Sequence, residues 1–318
     1  MSAAPRPLSV LAAFFVAASA TAQEGAGTEG ALLLQLTPAP RPVALGGAFV
    51  ALADGPLALH HGPAGLAGAP RGVVVAYQTL PTDASAGLGA VALPLGPGTL
   101  GAGLSFVDYG EVPEILPGGS GLVGQPTGAV VRGGELAVAV GYGVRLGRVR
   151  LGAVARSLQI GIAELGTRAT AYDLGAGIEV LDDRVALRVA VQNLGPDVEA
   201  GRPAPLPTVL RAGASFRVSR GPGRHGILAV EAHAPRAALD GPRPVQAAVG
   251  AEWTFRVAGA SVSARLGYRQ KTAAGDAFNG LAAGGGVRFG RLSIDYAYRP
   301  LGPLGATQHL GLTYLPDG

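Results

Sequence analysis

Charged residues recur at every second position in several stretches of this chain, opposite apolar residues. Within 184–194, Arg188 lies between Leu187 and Val189, and Gln192 falls on the same side as Arg188. Because successive side chains of a strand point to opposite faces, this pattern predicts strands with one polar and one apolar face. The polar-face candidates that could form ion pairs or bind an anion are Arg156, Arg188, Arg211, Glu231, Glu252, Arg265 and Asp295.

Arginine outnumbers the acidic residues on this polar face, which leaves two interpretations open. In the first, arginines and carboxylates pair with each other and brace the structure, because buried charges are usually paired. In the second, the surplus arginines line a lumen that favours anions or acidic ligands such as a carboxylate head group.

Motifs for catalysis, metal binding and nucleic-acid binding are mostly absent, and a Ser/His/Asp set inside a barrel, as in membrane esterases, is the one catalytic arrangement that the order of residues leaves open. The chain has no Cys, which excludes thiolate metal sites and disulfides. His60 and His61 are adjacent, so their side chains do not share one face as a metal pair would. No Gly-x-Ser-x-Gly motif, no Walker lysine and no basic patch with interleaved aromatic residues occurs. We therefore predict a protein that is not an enzyme and has no cofactor, no metal site and no nucleic-acid partner.

The alternating pattern extends over most of the chain after residue 71. Hydrophobic residues make up 48% of the sequence and charged residues only 14%, yet no charge-free apolar run of about 20 residues could form a spanning helix. Strands of about 9–11 residues can cross a membrane instead. The fourteen candidate strands lie near 72–80, 84–95, 98–109, 133–146, 148–160, 166–180, 184–194, 206–219, 225–235, 242–257, 259–271, 278–290, 291–299 and 306–315.

Connections between these candidate strands alternate in length. Those at 145–148 and 256–259 are tight, whereas 110–132 and 195–205 are longer and rich in Gly, Pro and polar residues. Outer-membrane barrels combine an even number of strands with short periplasmic turns and longer outer loops. We therefore predict an all-β fold over 71–318, an antiparallel transmembrane β-barrel of about 14 strands. The competing interpretation is a secreted soluble β-sandwich or solenoid.

The N-terminus has the pattern of a secretory signal peptide. Arg6 precedes an apolar run over 8–18, and Ala20-Thr21-Ala22 provides the small residues of a cleavage site. The prediction is a signal peptide over 1–22, cleavage near Ala22 and Gln23, and residence in the outer membrane of a Gram-negative type of cell, with its lipid as a partner.

The segment 23–70 is predicted to be a small plug inside the barrel. A barrel of about 14 strands has a lumen too wide for side chains alone to fill. The segment has short apolar stretches separated by glycines and prolines, which support tight turns. Its apolar content argues against the alternative, a disordered periplasmic tail. The plug residues singled out are Gly46, Gly47, Phe49, Asp54, Pro63, Ala64 and Gly65.

Several short motifs follow one another along the mature chain. Residues 40–51 read PRPVALGGAFVA and residues 63–67 read PAGLA. Further motifs lie at 109–114, 173–177, 192–196, 206–213 and 295–309. In this order they resemble the PorV/PorQ family, which is similar to the FadL-type outer-membrane barrels.

Two positions depart from the pattern of that family. Gly62 stands where the family has Asn before Pro-Ala-Gly, and His60 and His61 replace aromatic residues. Any role that the family gives to that Asn does not transfer to this chain.

The resemblance implies two functions of different classes. A PorV/PorQ-like protein docks exported proteins at the outer membrane during type IX secretion, so exported cargo or secretion components would be its partners. A FadL-like channel admits hydrophobic small molecules such as fatty acids past the plug. Exposed apolar residues on long outer loops would favour the first, and an apolar pocket between plug and wall would favour the second.

Overall fold

The computed structural model describes residues 29–117, 124–181, 183–200, 202–221, 224–236, 244–270 and 280–316. The signal peptide and cleavage site predicted from the sequence lie outside these residues.

Fourteen antiparallel strands close into one barrel, as predicted, in which β7 pairs with β10 and β1 closes the wall against β16. A separate two-stranded sheet of β8 (Val198–Ala200) and β9 (Arg202–Ala204) lies within the connection from β7 to β10. The barrel strands are β1 (Gly72–Thr79), β2 (Ser85–Leu95), β3 (Gly98–Pro117), β4 (Gly124–Leu146), β5 (Val149–Ile162), β6 (Leu165–Val180), β7 (Val185–Leu194), β10 (Val209–Gly221), β11 (Arg224–Pro235), β12 (Gln246–Val257), β13 (Ala260–Arg269), β14 (Leu281–Phe289), β15 (Leu292–Pro300) and β16 (Ala306–Tyr314).

Tight turns join the strands at one end of the barrel, whereas the other end has both a two-residue turn, between β5 and β6, and longer connections. The strand pairs β2–β3, β4–β5, β12–β13 and β14–β15 are joined by two residues each. Ala258 and Gly259 both have positive φ, the backbone of a hairpin turn whose twist matches that of the strands. We call this the tight-turn end, and the opposite end, which carries the connection over 195–208, the long-loop end.

The loop expected at 110–132 is mostly paired strand. β3 and β4 continue past the predicted ends, with Glu111 opposite Arg132 and Val112 opposite Val131. The register of the pairing shifts after Asp108. Such a bulge leaves a residue unpaired without ending the hydrogen-bonded ladder. Sequence reasoning missed this because Gly and Pro were taken as the end of pairing. We call the paired extensions over 110–117 and 124–131 the β3–β4 arm.

Alternation along β7 shows how the wall is built. Leu187 and Val189 point away from the lumen and are 44% and 48% exposed, whereas Arg188 between them is 3% exposed. The apolar side chains therefore cover the outside of the barrel, where lipid would contact them.

Residues 29–69 pack against inward-facing side chains of the wall and are called the hatch below. The segment has two short helices, α1 (Pro40–Ala44) and α2 (Ala58–His61), and 3-10 turns at 32–35, 50–52, 55–57 and 63–66. Proline begins α1, and Gly46 and Gly47 follow it with positive φ, so that the chain changes direction every few residues.

The apolar core lies between the hatch and the wall. Leu45 and Phe49 of the hatch pack with Ala229 and Ala248 of the wall. Leu59 and Leu66 pack in a second cluster with wall residues that include Ala139 and Val154. Among the described residues, no helix has the length and apolar character needed to cross a bilayer.

Candidate functional site: the hatch and the lumen

Asp54 of the hatch lies beside two arginines of the wall. Arg188 Nη2 donates to Asp54 Oδ1 at 2.8 Å, and Arg188 Nη1 donates to the carbonyl of Ala53 at 3.0 Å. Arg150 lies 3.6 Å from the same carboxylate and 2.7 Å from Glu179. These contacts hold one turn of the hatch against β5 and β7.

Glu231 of β11 binds both a wall arginine and the hatch backbone. Its Oε2 accepts hydrogen bonds from the N–H groups of Phe49 and Val50 at 2.6 and 2.7 Å. Its Oε1 accepts one from Arg211 Nε at 2.6 Å, and Arg211 also donates to the Gly47 carbonyl at 3.3 Å. Glu231 is 4% exposed. Its buried carboxylate therefore has hydrogen-bond partners on both oxygens, as buried polar groups need.

Arg41 connects the hatch to the opposite part of the wall. Its Nε and Nη2 donate to the two oxygens of Glu252 at 2.8 and 2.9 Å, a bidentate pair. Glu252 also accepts from Arg265 Nε at 2.5 Å, and Arg265 Nη1 lies 2.5 Å from Asp295 Oδ1. One acid and one base of the hatch therefore each have a partner of opposite charge on the wall.

A fourth pair supports α2. Arg156 of β5 donates to Asp173 of β6 at 2.5 Å and to the Leu59 carbonyl at 2.8 Å. Asp173, which is not exposed at all, also accepts the N–H of Asn193 at 2.8 Å. The seven wall residues singled out from the sequence thus form four groups of contacts, and each group reaches the hatch.

Glycines of both the hatch and the wall allow the hatch backbone to lie close to the strands. A Cβ at Gly46 would lie 2.5 Å from the backbone N of Tyr268, and one at wall residue Gly175 would lie 2.8 Å from the N of Ala64. The Pro63-Ala64 turn therefore fits against a strip of wall without side chains. A Cβ at Gly65 would meet the Ala53 carbonyl within the hatch itself.

Several residues that contact the hatch were not among the site residues chosen from the sequence, and Glu135 and His309 are two examples. Glu135 accepts the N–H groups of Leu32 and Leu33 at 2.9 and 3.0 Å, and Tyr109 donates its hydroxyl to the same carboxylate. His309 Nδ1 lies 3.2 Å from the Pro38 carbonyl. The contact of Glu135 could have been predicted from the sequence, because an acidic residue on the inward face of a strand needs a partner. The contact of His309 could not, because a lone histidine does not indicate one.

Phe49 and His61 form the centre of the hatch. Their rings meet edge to face at 5.3 Å, and Arg41 Cζ lies 5.6 Å from the centre of the Phe49 ring. Burial holds the pKa of His61 well below its ordinary value of 6.5, and the charge of Arg211 lowers it further. His61 is therefore neutral and packs as part of the core, and the described residues contain no group of three or more possible metal ligands.

A cavity of about 450 Å³ separates the hatch from the wall near the long-loop end. Leu34, Leu36, Val43 and Leu301 contribute apolar surface to it. Its cationic lining includes Arg269 and Arg299, neither of which forms an ion pair within the described part of the chain. The buried Nε of Arg299 and the Nε2 atoms of the two hatch histidines have no hydrogen-bond partner among the described residues.

Comparisons with solved structures show which known barrels have this architecture. The toluene transporter TodX of P. putida matches with a TM-score of 0.54 at 12% identity, over 88% of this chain and 96% of that chain. A Pseudomonas aeruginosa FadL homologue matches with a TM-score of 0.52 at 11% identity, over 88% and 98%. The chain has a FadL-type fold. No protein-family model and no curated protein sequence matches it.

A third match is to a TodX mutant described as a monoaromatic hydrocarbon channel, with a TM-score of 0.50 at 14% identity, over 81% and 92% of the two chains. These matches support the FadL-type part of the resemblance seen in the sequence. They give no support to its PorV/PorQ part. At such low identity they establish the fold, which by itself does not determine a function.

Proposed function

We propose that this protein is an outer-membrane channel that admits a hydrophobic small molecule, closed by its hatch when no ligand is bound. The observation that carries the proposal is a hatch connected to the wall by ion pairs on several sides, with a cavity on its long-loop side. The two named neighbours with this fold, described as a toluene transporter and a FadL homologue, support it.

The cavity lining favours a ligand with both an apolar part and an acidic group. Leu34, Leu36 and Val43 offer apolar surface. Neither Arg299 nor Arg269 forms an ion pair with a described residue, although the acidic Glu29 also lines the cavity, and a buried cation is stabilised by an anion. A fatty acid combines an alkyl chain with a carboxylate and fits both parts.

Uptake of labelled oleate tests this function. Cells of a Gram-negative strain that lacks its own fatty-acid channel would express the full-length chain, and accumulation would be measured over time. Expression should raise uptake, and Arg299→Gln should lower it, because the carboxylate loses its partner. The control Arg168→Gln changes an exposed arginine of β6 and should leave uptake unchanged. Uptake equal to that of cells without the protein contradicts the proposal.

The cargo-docking function implied by the PorV/PorQ resemblance is a second candidate. The β3–β4 arm favours it, because Val112, Ile115 and Leu116 are 60%, 63% and 52% exposed there and exposed apolar clusters mark interaction sites. Copurification of secretion components or exported proteins with the full-length chain would support this candidate. Loss of that copurification in an Ile115→Ser variant would assign it to the arm.

A further inference from the structure

Arginines are denser along one half of the rim at the tight-turn end than along the other half, which has Arg71, Arg145 and Arg148. Along the wall from β7 to β15, every strand except β13 has an arginine at its tight-turn end or in the adjoining turn. None of them forms an ion pair with a described residue, and Asp183 is the one acidic residue described along this stretch of rim. We call this set the arginine arc: Arg184, Arg217, Arg224, Arg256, Arg288 and Arg291.

The register brings these like charges close together. Arg217 donates its backbone N–H to the Arg184 carbonyl at 2.9 Å across β7 and β10. Arg256 and Arg288 both lie opposite Ser261, so that one strand separates them, at about 10 Å. Exposed like charges at this spacing repel each other weakly in water, and an anion between them lowers that repulsion.

Exposed phenylalanines place the arc at the edge of the apolar band. Phe216, Phe255 and Phe289 are 43%, 40% and 64% exposed, and each directly neighbours an arginine of the arc in sequence. They are the exposed phenylalanines among the described residues. Aromatic residues mark the membrane–water interface of outer-membrane barrels, so the arc lies at the depth of lipid head groups.

Arg224 shows that the arc reaches the lipid side of the wall. It lies directly opposite Phe255 in the pairing of β11 with β12, and paired residues of neighbouring strands share a face. Phe255 points outward, and Arg224 is exposed beside it. The inward-facing arginines of the arc are at the ends of their strands, where a long side chain can extend around the rim to the interface.

We propose that the arginine arc binds the phosphate groups of anionic phospholipids in the leaflet at the tight-turn end of the barrel. This proposal concerns the outer surface of the barrel and holds for any ligand that the lumen admits. Guanidinium groups bind phosphate oxygens with charge-assisted hydrogen bonds. Several arginines on neighbouring strands, without carboxylate partners, provide such donors along half of the rim.

The single tryptophan provides the measurement. Trp253 is 38% exposed on the outer face of β12, on the same strand as Arg256, and it is the only Trp of the chain. Full-length protein is reconstituted in vesicles of brominated phosphatidylcholine with a rising fraction of unbrominated phosphatidylglycerol. Brominated lipid quenches Trp253, so enrichment of phosphatidylglycerol near the arc reduces quenching below the value set by the bulk composition.

Wild type should select phosphatidylglycerol over phosphatidylcholine by at least about threefold. The triple variant R224Q/R256Q/R291Q should show no selection, and R224Q alone should show less than wild type. The control R132Q/R168Q changes exposed arginines toward the long-loop end and should select as wild type does. Heat-modifiable migration on gels checks that each variant is folded.

Free inorganic phosphate, matched in ionic strength with chloride, distinguishes the two sources of a phosphate group. If the arc binds lipid head groups, phosphate changes the quenching no more than chloride does. Stronger displacement of phosphatidylglycerol by phosphate would mean a site for soluble anions and would overturn the lipid assignment. Equal quenching in wild type and the triple variant would overturn the proposal as a whole.

Discussion

At the scale of single residues, the hatch is held by carboxylates and arginines that each satisfy more than one group. Glu231 is the clearest case, because it accepts two backbone N–H groups of the hatch and one arginine of the wall. The sequence indicates that Arg41 and Asp54 need partners of opposite charge if the hatch lies in the lumen, although the Asp54 side chain stays 49% exposed in the structure. The sequence does not indicate which partners, because Asp54 and Arg188 are 134 residues apart and meet only through the orientation of the hatch.

Glu231→Gln should loosen the hatch. The amide cannot pair with the charge of Arg211, and removing one partner of a buried ion pair costs about 3–5 kcal/mol. Hydrogen exchange of the Phe49 and Val50 amides should therefore become faster. The matched control is Glu111→Gln, whose ion pair with Arg132 is exposed on both sides and contributes about 0–1 kcal/mol. Equal exchange in both variants would contradict the role given to Glu231.

Gly46→Ala should also detach the hatch locally. The new Cβ would lie 2.5 Å from the backbone N of Tyr268, which cannot move without disturbing β13. Gly147→Ala is a close control, because its φ of 61° is near the 64° of Gly46 and its Cβ would meet nothing within 4 Å. Both alanines carry about 1–2 kcal/mol of backbone strain. Limited proteolysis should cut the hatch faster in Gly46→Ala alone.

At the scale of elements, the strands are predictable from the sequence because one face meets lipid and the other the lumen. Apolar and other residues therefore alternate with a period of two along each strand. All fourteen strands follow this pattern closely enough to be found from the sequence. The β3–β4 arm extends beyond the predicted strand ends, and there the same two-faced burial is missing. Its residues 124–130 are all exposed, so pairing there leaves no signal in the pattern of hydrophobicity. The β8–β9 hairpin escapes prediction for a related reason, since three residues are too few to show a period.

Arginine substitutions along β7 test the assignment of its faces. Val189 points outward near the middle of the strand, and Val189→Arg should destabilise the barrel by about 2–4 kcal/mol in a bilayer. Leu187→Arg, one pleat nearer the tight turns, should cost less because the side chain can reach the interface. Ala186→Arg, on the inward face, should cost least of the three. Urea unfolding in vesicles measures this order, and equal costs at all three positions would contradict the assignment.

At the scale of the whole molecule, a closed channel requires the hatch to fill the lumen. Sequence reasoning suggested a plug because a barrel of this width needs one, but it could not show how the plug is oriented. The orientation follows from glycines on both sides of the contact, such as Gly46 of the hatch and Gly175 of the wall. These residues look like ordinary turn and strand glycines in the sequence. Their role in orienting the hatch is visible only in the structure, where the hatch backbone lies against the wall.

Single-channel conductance in planar bilayers shows whether the hatch closes the barrel. Full-length protein should be nearly closed, because the hatch and its ion pairs occupy the lumen. A deletion from Gln23 to Ala69 removes the hatch and should open a large and stable pore. If the full-length protein already conducts like an open porin, the hatch does not close the barrel, and the proposed gated channel is wrong.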